Sequence, residues 1–287
     1  MPGAVSWRTI GLTSGAMVCF AANSILCRLA LAPGLVDAAS FTTLRVMSAA
    51  AMLSLVVWLQ RRPWPRLRQI NARSPVALFI YLIFFAFAYL RLEAGSGALI
   101  LIGAVQLSMF SVAFWEGERF APWQWAGLGL ALFGFVYLVL PGVSAPDPAG
   151  AVLMTVSGAA WGWFSLLARH AGDPVAGNAR NFLLCLVPAM IVNLLGAPQL
   201  EVTALGLALA AASGALATGF GYILWYLALR GLPATHAATV QLSMPALVAL
   251  GGAAFLSEPL TGRLLIAAVT MLGGIGLVLG QRGAGSR

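Results

Sequence analysis

The chain has 287 residues, of which 61% are apolar and 8% charged, with a formal net charge of +8. A water-soluble chain of that length needs far more surface charge, and a mean hydropathy of +0.92 excludes that class. The positive balance comes from sixteen Arg against eight acids, with no Lys. These arginines sit between apolar runs, so they set orientation in a membrane and do not point to nucleic acid.

About 20 apolar residues cross a bilayer. The chain divides into ten such runs, at 8–31, 38–60, 75–91, 96–115, 122–140, 149–168, 180–197, 203–229, 234–257 and 262–281. The predicted fold class is therefore an all-α integral membrane protein, with connections too short for a soluble domain. The first run ends at Ala30-Leu31-Ala32, which mimics a signal-peptide cleavage site. Its apolar stretch from Thr9 to Cys27 is too long for that role and Arg28 interrupts the approach, so it is expected to stay as a helix. Arg91 and Glu93 crowd the end of the third run. Cys19, Cys27 and Cys185 fall inside spans without CxxC or metal-ligand spacing, and read as inert buried thiols. No metal site and no cofactor is expected. With the N-terminus in the cytoplasm, twelve of the sixteen arginines fall inside, leaving Arg28, Arg45, Arg91 and Arg263 for the outer side. The positive-inside rule thus selects cytoplasmic N- and C-termini.

An internal repeat divides the chain at 1–142 and 143–287. A shift of 140 residues aligns Glu93–Leu140 with Pro233–Gly280 without gaps, placing Glu118 on Glu258 and Gly134 on Gly274. Near the front of each half, Ser14-Gly15-Ala16 matches Ser157-Gly158-Ala159, and Gly11/Gly15 and Gly158/Gly162 are small-xxx-small pairs suited to close helix packing. Five spans per half is an odd number, so the halves carry opposite topology. One feature breaks the register. Val105-Gln106-Leu107-Ser108-Met109 recurs as Val240-Gln241-Leu242-Ser243-Met244 at a shift of 135, either through a five-residue slip or partly by chance.

The ninth run carries the richest chemistry. Gln241, Ser243 and Met244 lie just before Pro245, which removes a backbone donor in mid-span and frees a carbonyl one turn earlier. Polar groups beside a broken helix persist where they face protein or a wet cavity. They line a solute pathway or, on the plainer reading, bond neighbouring helices. By the repeat, Gln106 and Ser108 are candidates with them. Trp161 and Trp163 on the sixth run hold places comparable to Phe20 and Asn23 on the first, near mid-membrane, where aromatic rings suit an apolar solute. Tyr81 is a further lining candidate, and Tyr222 needs a hydroxyl partner if buried. His236 and Pro245 are candidates for gating or coupling, although a histidine near a helix end is commonly just hydrogen-bonded. Arg45 is either a buried charge or a snorkelling one. No carboxylate falls in mid-span, which favours facilitated efflux or exchange over strong proton antiport.

Ten spans in two halves, Gln-Leu-Ser-Met ahead of Gly-Glu-Arg at 117–119 and Ser-Glu-Pro at 257–259, and a Gly-rich last helix together resemble the EamA-type branch of the drug/metabolite transporter superfamily. The pattern departs from that family at Phe110, where the family often has proline. The resemblance implies a basket-like monomer with a central cavity open to one side at a time. It further implies a secondary transporter in the bacterial inner membrane, with small-molecule substrate and membrane lipid as partners. Members similar to this chain export amino acids, aromatic compounds or other small metabolites. The rival classes fare worse. A membrane-embedded enzyme would need an HExxH, Gly-x-Ser-x-Gly or aspartate cluster that is not present, and an accessory protein would not explain the repeat.

Overall fold

Apolarity around the whole circumference, rather than on one stripe, gives each helix a lipid face and a core face at once. The computed structural model describes residues 6–63, 71–117, 120–168, 173–196, 202–232 and 234–280. Its helices are α1 (Trp7–Leu31), α2 (Ala38–Leu59), α3 (Arg73–Tyr89), α4 (Ala94–Trp115), α5 (Pro122–Val139), α6 (Pro148–Ala168) and α7 (Pro174–Leu195). They continue with α8 (Ala204–Leu229), α9 (Ala234–Gln241), α10 (Met244–Leu256) and α11 (Gly262–Gly280). Among the described residues nine helical stretches are long and apolar enough to cross a membrane, α9 and α10 counting together, and the shorter α3 is the tenth apolar helix. The expected all-α membrane fold is what the chain adopts.

The starts of these helices follow from capping side chains. Ser6 accepts a hydrogen bond from the Thr9 N–H, Asp37 from that of Ser40, and Thr203 from that of Gly206. Asp173 caps α7 by accepting from the Val175 and Ala176 N–H groups, with Pro174 at the first helical position. Helix α7 therefore begins six residues before the expected boundary at 180. Arg180, expected in an inner loop, lies inside α7 and is half-buried. At the other extreme, Ser257 ends α10 in the left-handed region, at φ 55°.

Glycine sets the tightest crossings. A Cβ on Gly274 would lie 2.5 Å from the Gly127 carbonyl oxygen, and one on Gly158 would lie 2.6 Å from that of Leu101, so α5 meets α11 and α4 meets α6 backbone to backbone. The expected symmetry of the two small-residue pairs does not hold. A Cβ on Gly15 would meet the Leu224 side chain at 3.2 Å and one on Gly11 would meet nothing within 4 Å, so no backbone approaches α1 at either glycine as closely as at Gly158.

The largest helix pairings come in matched sets under exchange of each span with the one five places on. Span three on six matches eight on one, four on six matches nine on one, and two on eight matches seven on three. Two with seven, four with nine and five with ten map onto themselves. The halves interleave into one core, with Phe41, Phe85 and Ile100 from the first packed with Phe182, Tyr222 and Met271 from the second. Val187, Leu194, Phe255 and Val269 face outward, as lipid-facing side chains do.

Two interruptions matter for the site. The ninth span breaks at Leu242–Ser243, and Pro245 sits buried in the first turn of α10. Within α8, Ser213–Phe220 forms a π-turn packed on α1 and α2. A Cβ on Gly214 would collide with the Arg45 carbonyl and the Ser48 hydroxyl, so only glycine lets α8 press so closely on α2. Such π-turns re-aim side chains and recur at functional sites.

Candidate functional site

The two breaks and the aromatic residues of α3, α6 and α8 surround one central cavity of about 510 Å³. That volume suits a small organic solute. Helix α4 lines it down to Ala113, followed by Glu116 just past the helix end, and α6 down to Leu166, so it reaches the end of the bundle where α1 starts.

An aromatic wall forms one side. Trp161 stacks on Tyr222 at 5.9 Å between centroids, and Tyr222 on Tyr226 at 6.1 Å. Tyr81 meets Trp161 at 4.8 Å, and Phe20 meets Tyr222 edge-on at 5.7 Å. The Tyr226 hydroxyl accepts a hydrogen bond from Asn178. Trp163 lies on the other side of α6, 41% exposed toward the lipid face.

The deep end is polar. Asn23 Oδ1 accepts from Ser213 Oγ at 2.8 Å and from Thr218 Oγ1 at 3.5 Å, both on the π-turn. Arg45 Nε donates to Thr218 Oγ1 at 3.4 Å and Nη2 donates to the Tyr81 hydroxyl at 3.3 Å. Its guanidinium lies 4.9 Å from the Phe85 ring centre. With 2% of its surface exposed, Arg45 is a buried charge and does not snorkel.

Nearer the mouth, the two Gln-Leu-Ser-Met segments act as local equivalents. Gln106 and Met109, and Gln241 and Met244, all line the cavity. Each serine turns away from it: Ser108 Oγ donates to the Val105 carbonyl at 2.8 Å, and Ser243 Oγ to that of Val240 at 2.7 Å. Both occurrences of the recurring segment thus contribute to the lining, although α4 runs unbroken through Phe110 where the ninth span breaks.

Of the sequence candidates, the cavity gathers Asn23, Tyr81, Gln106, Trp161, Gln241 and Met244. It does not gather Ser108 or Ser243, whose hydroxyls are taken by their own helices. His236 is exposed on α9 and does not line it either. Glu116, expected only at a span end, sits exposed at the mouth. Glu118 lies outside the described residues. Sequence reasoning missed Tyr226, Trp225 and Thr218 as lining residues and left Arg45 undecided. The thiols differ slightly from expectation: Cys27 and Cys185 are buried, while Cys19 is partly exposed. Among the described residues no cluster of His, Cys, Asp and Glu has metal-binding form.

At the opposite end of the bundle an ion pair ties the helix ends together. Arg28, at the end of α1, pairs through Nε with Glu258 Oε1 at 3.1 Å and donates through Nη1 to the Tyr89 carbonyl at 2.9 Å. Glu258 Oε2 accepts from the Ala94 N–H at 2.7 Å, which places a carboxylate on the positive end of α4. Burial pushes the neighbouring Glu93 carboxyl up, and the Glu258 charge adds to that shift, while Arg28 partly offsets it. At the mouth end, Arg62 pairs with Asp173 at 2.6 Å. Burial alone would raise the Asp173 pKa, but hydrogen bonds from Arg62 and from the Ala176 and Val175 N–H groups hold it below the ordinary aspartate value.

A bundle of apolar crossings around a half-polar cavity, open at one end and locked at the other, belongs to the class of multi-span membrane transporters. Residues 148–280 match the EamA-like transporter family. Over 275 residues the chain is 49% identical to an uncharacterized protein of Pseudomonas aeruginosa, covering 96% of each. It is 25% identical to an uncharacterized transporter of Archaeoglobus fulgidus over 85% of this chain and 89% of that one. It is also 32% identical to the threonine/homoserine exporter RhtA of Escherichia coli, over 55% of this chain and 54% of the exporter. A solved crystal structure shares the fold with a TM-score of 0.66 at 19% identity, covering 92% of this chain. The chain belongs to the EamA-like transporter family and is a multi-pass membrane protein.

Proposed function

We propose that this protein is a secondary transporter that exports small metabolites, foremost amino acids, across the bacterial inner membrane. The observation that carries the reading is the central cavity, whose walls combine stacked aromatic rings with Gln106, Gln241, Asn23 and Arg45. Partial identity to a threonine/homoserine exporter supports amino acids as the first solutes to test.

The mechanism is alternating access by a monomer. Residues 1–142 and 143–287 act as inverted five-span repeats, a reading supported by the matched helix pairings. With both termini cytoplasmic, the cavity mouth faces the cytoplasm, the side from which an exporter loads. The Arg28–Glu258 lock closes the outer side. Rocking one half against the other breaks that lock and closes the mouth around Gln106 and Gln241. Transport runs by facilitated efflux or exchange, since no carboxylate lies in mid-span. Metabolites or drugs other than amino acids are the alternative cargo of the same cavity.

The test is counterflow in liposomes holding the purified protein, across labelled amino acids, with and without a pH gradient. Saturable uptake indifferent to the gradient is expected. Uptake that depends on the gradient would contradict the facilitated mechanism and move attention to Glu116 at the mouth.

A further inference from the structure

Among the described residues, the cation in the cavity has no ion-pair partner. Arg45 offers five N–H donors. The structure gives it two hydrogen bonds, at 3.4 and 3.3 Å, both longer than the usual range. Its Nη1 is buried without a partner. Among the described residues three ion pairs form, Arg28–Glu258, Arg62–Asp173 and Arg91–Asp147, and none includes Arg45. The acid on its own stretch of chain, Asp37, lies about 12 Å away along the helix axis and spends one oxygen capping α2. A buried charge in a membrane protein is costly unless an anion or a network compensates it.

The surroundings say which anion fits. Among the described residues Arg45 is the only arginine lining the cavity, and the one acid in that lining, Glu116, sits at the mouth. The remaining polar lining groups, among them Asn23, Thr218 and Gln241, are neutral. One positive charge calls for one negative charge. A planar guanidinium with a free Nη1 edge matches a carboxylate, which takes two parallel hydrogen bonds from it. The stacked faces of Trp161, Tyr222 and Tyr226 then stand beside it, suited to an ammonium or to an apolar side chain.

We infer that Arg45 binds the carboxylate of the transported solute, so that the cavity selects small zwitterionic amino acids over neutral or cationic analogues. This inference rests on the transport reading above. The carboxylate end enters first and seats at the deep end, against α2, α3 and the π-turn of α8. There it replaces two long hydrogen bonds with charge-assisted ones. An amide or a methyl ester of the same solute leaves the guanidinium uncompensated.

The experiment compares matched pairs in proteoliposome counterflow: threonine with threoninamide, and phenylalanine with phenylalaninamide. It uses the full chain as wild type, Arg45→Lys and Arg45→Met. In the wild type each acid should exchange faster than its amide by at least about tenfold, the scale of one charge-assisted hydrogen bond. Arg45→Met should lose that preference, and Arg45→Lys should recover part of it by keeping the charge. A merely structural role for Arg45 would lower both fluxes together and leave their ratio intact. Should Arg45→Met fail to insert, the acid-to-amide ratio of the wild type decides alone. Equal flux of acid and amide, or a preserved ratio in Arg45→Met, overturns the inference and leaves the transporter standing. No saturable exchange of any of the four compounds overturns the transport of amino acids itself, and the inference with it.

Discussion

Arg28 and Arg45 are both arginines drawn into the bundle from the same side, yet the structure treats them oppositely. Arg28 meets a carboxylate and a backbone carbonyl, and its partner Glu258 also caps α4. Among the described residues Arg45 meets a threonine and a tyrosine hydroxyl and two aromatic rings, and no carboxylate. The first arrangement is complete and holds helices together. The second is incomplete and faces a cavity. A paired charge marks a structural lock, and an unpaired one marks a place kept for a ligand.

The largest effect should come from breaking the complete arrangement. Glu258→Gln leaves Arg28 partly buried without its anion and weakens the cap on α4. A loss of about 3 kcal/mol in unfolding free energy is expected, read by thermal or denaturant unfolding in detergent. Next is the contact that seats the π-turn. Gly214→Ala drives a methyl group into the Arg45 carbonyl and Ser48, and should cost about 1–3 kcal/mol while displacing Thr218 from the cavity. Flux should fall with it.

On the cavity side, Trp161→Ala and Gln241→Ala should impair counterflow several-fold while the protein stays folded and inserted. Wild-type flux in both would place the solute path elsewhere. A smaller effect belongs to the mouth-end pair. Asp173→Asn should cost at most about 1 kcal/mol, because both partners are partly exposed. The pH dependence has a definite sign. The folded state favours the Asp173 carboxylate, so its contribution is full above the unfolded pKa and is lost as pH falls through the lower folded value. The asparagine variant should lack that acid-side loss. Smallest of all, His236→Ala should leave flux and its pH profile unchanged, since the imidazole is exposed and off the cavity.

The same contrast explains what the sequence disclosed. The spans were legible because an apolar run is a signal in one dimension, and Pro245 announced the break in the ninth. The start of the seventh was misplaced because Arg180 resembles a boundary charge, whereas the cap is Asp173 followed by Pro174. The recurring Gln-Leu-Ser-Met pointed to the cavity, but a serine's direction depends on whether its own helix takes the hydroxyl, as happens at Ser108 and Ser243. The π-turn of α8 left little trace beyond Gly214 and Gly219, because its cause is the close approach of α2. Arg45 was ambiguous for a related reason. Eight residues into a span, an arginine can snorkel or bury, and only the helices around it decide.

The central claim is that the deep end of the cavity is unfinished until a solute anion arrives. Its most direct test is the melting temperature of purified Arg45→Met without solute, beside the wild type. If Arg45 is kept for a ligand, removing an uncompensated buried charge leaves the melting temperature equal or higher, while the preference for acid over amide is lost. A clearly lower melting temperature would show that Arg45 holds the fold together as Arg28 does, and would contradict the account.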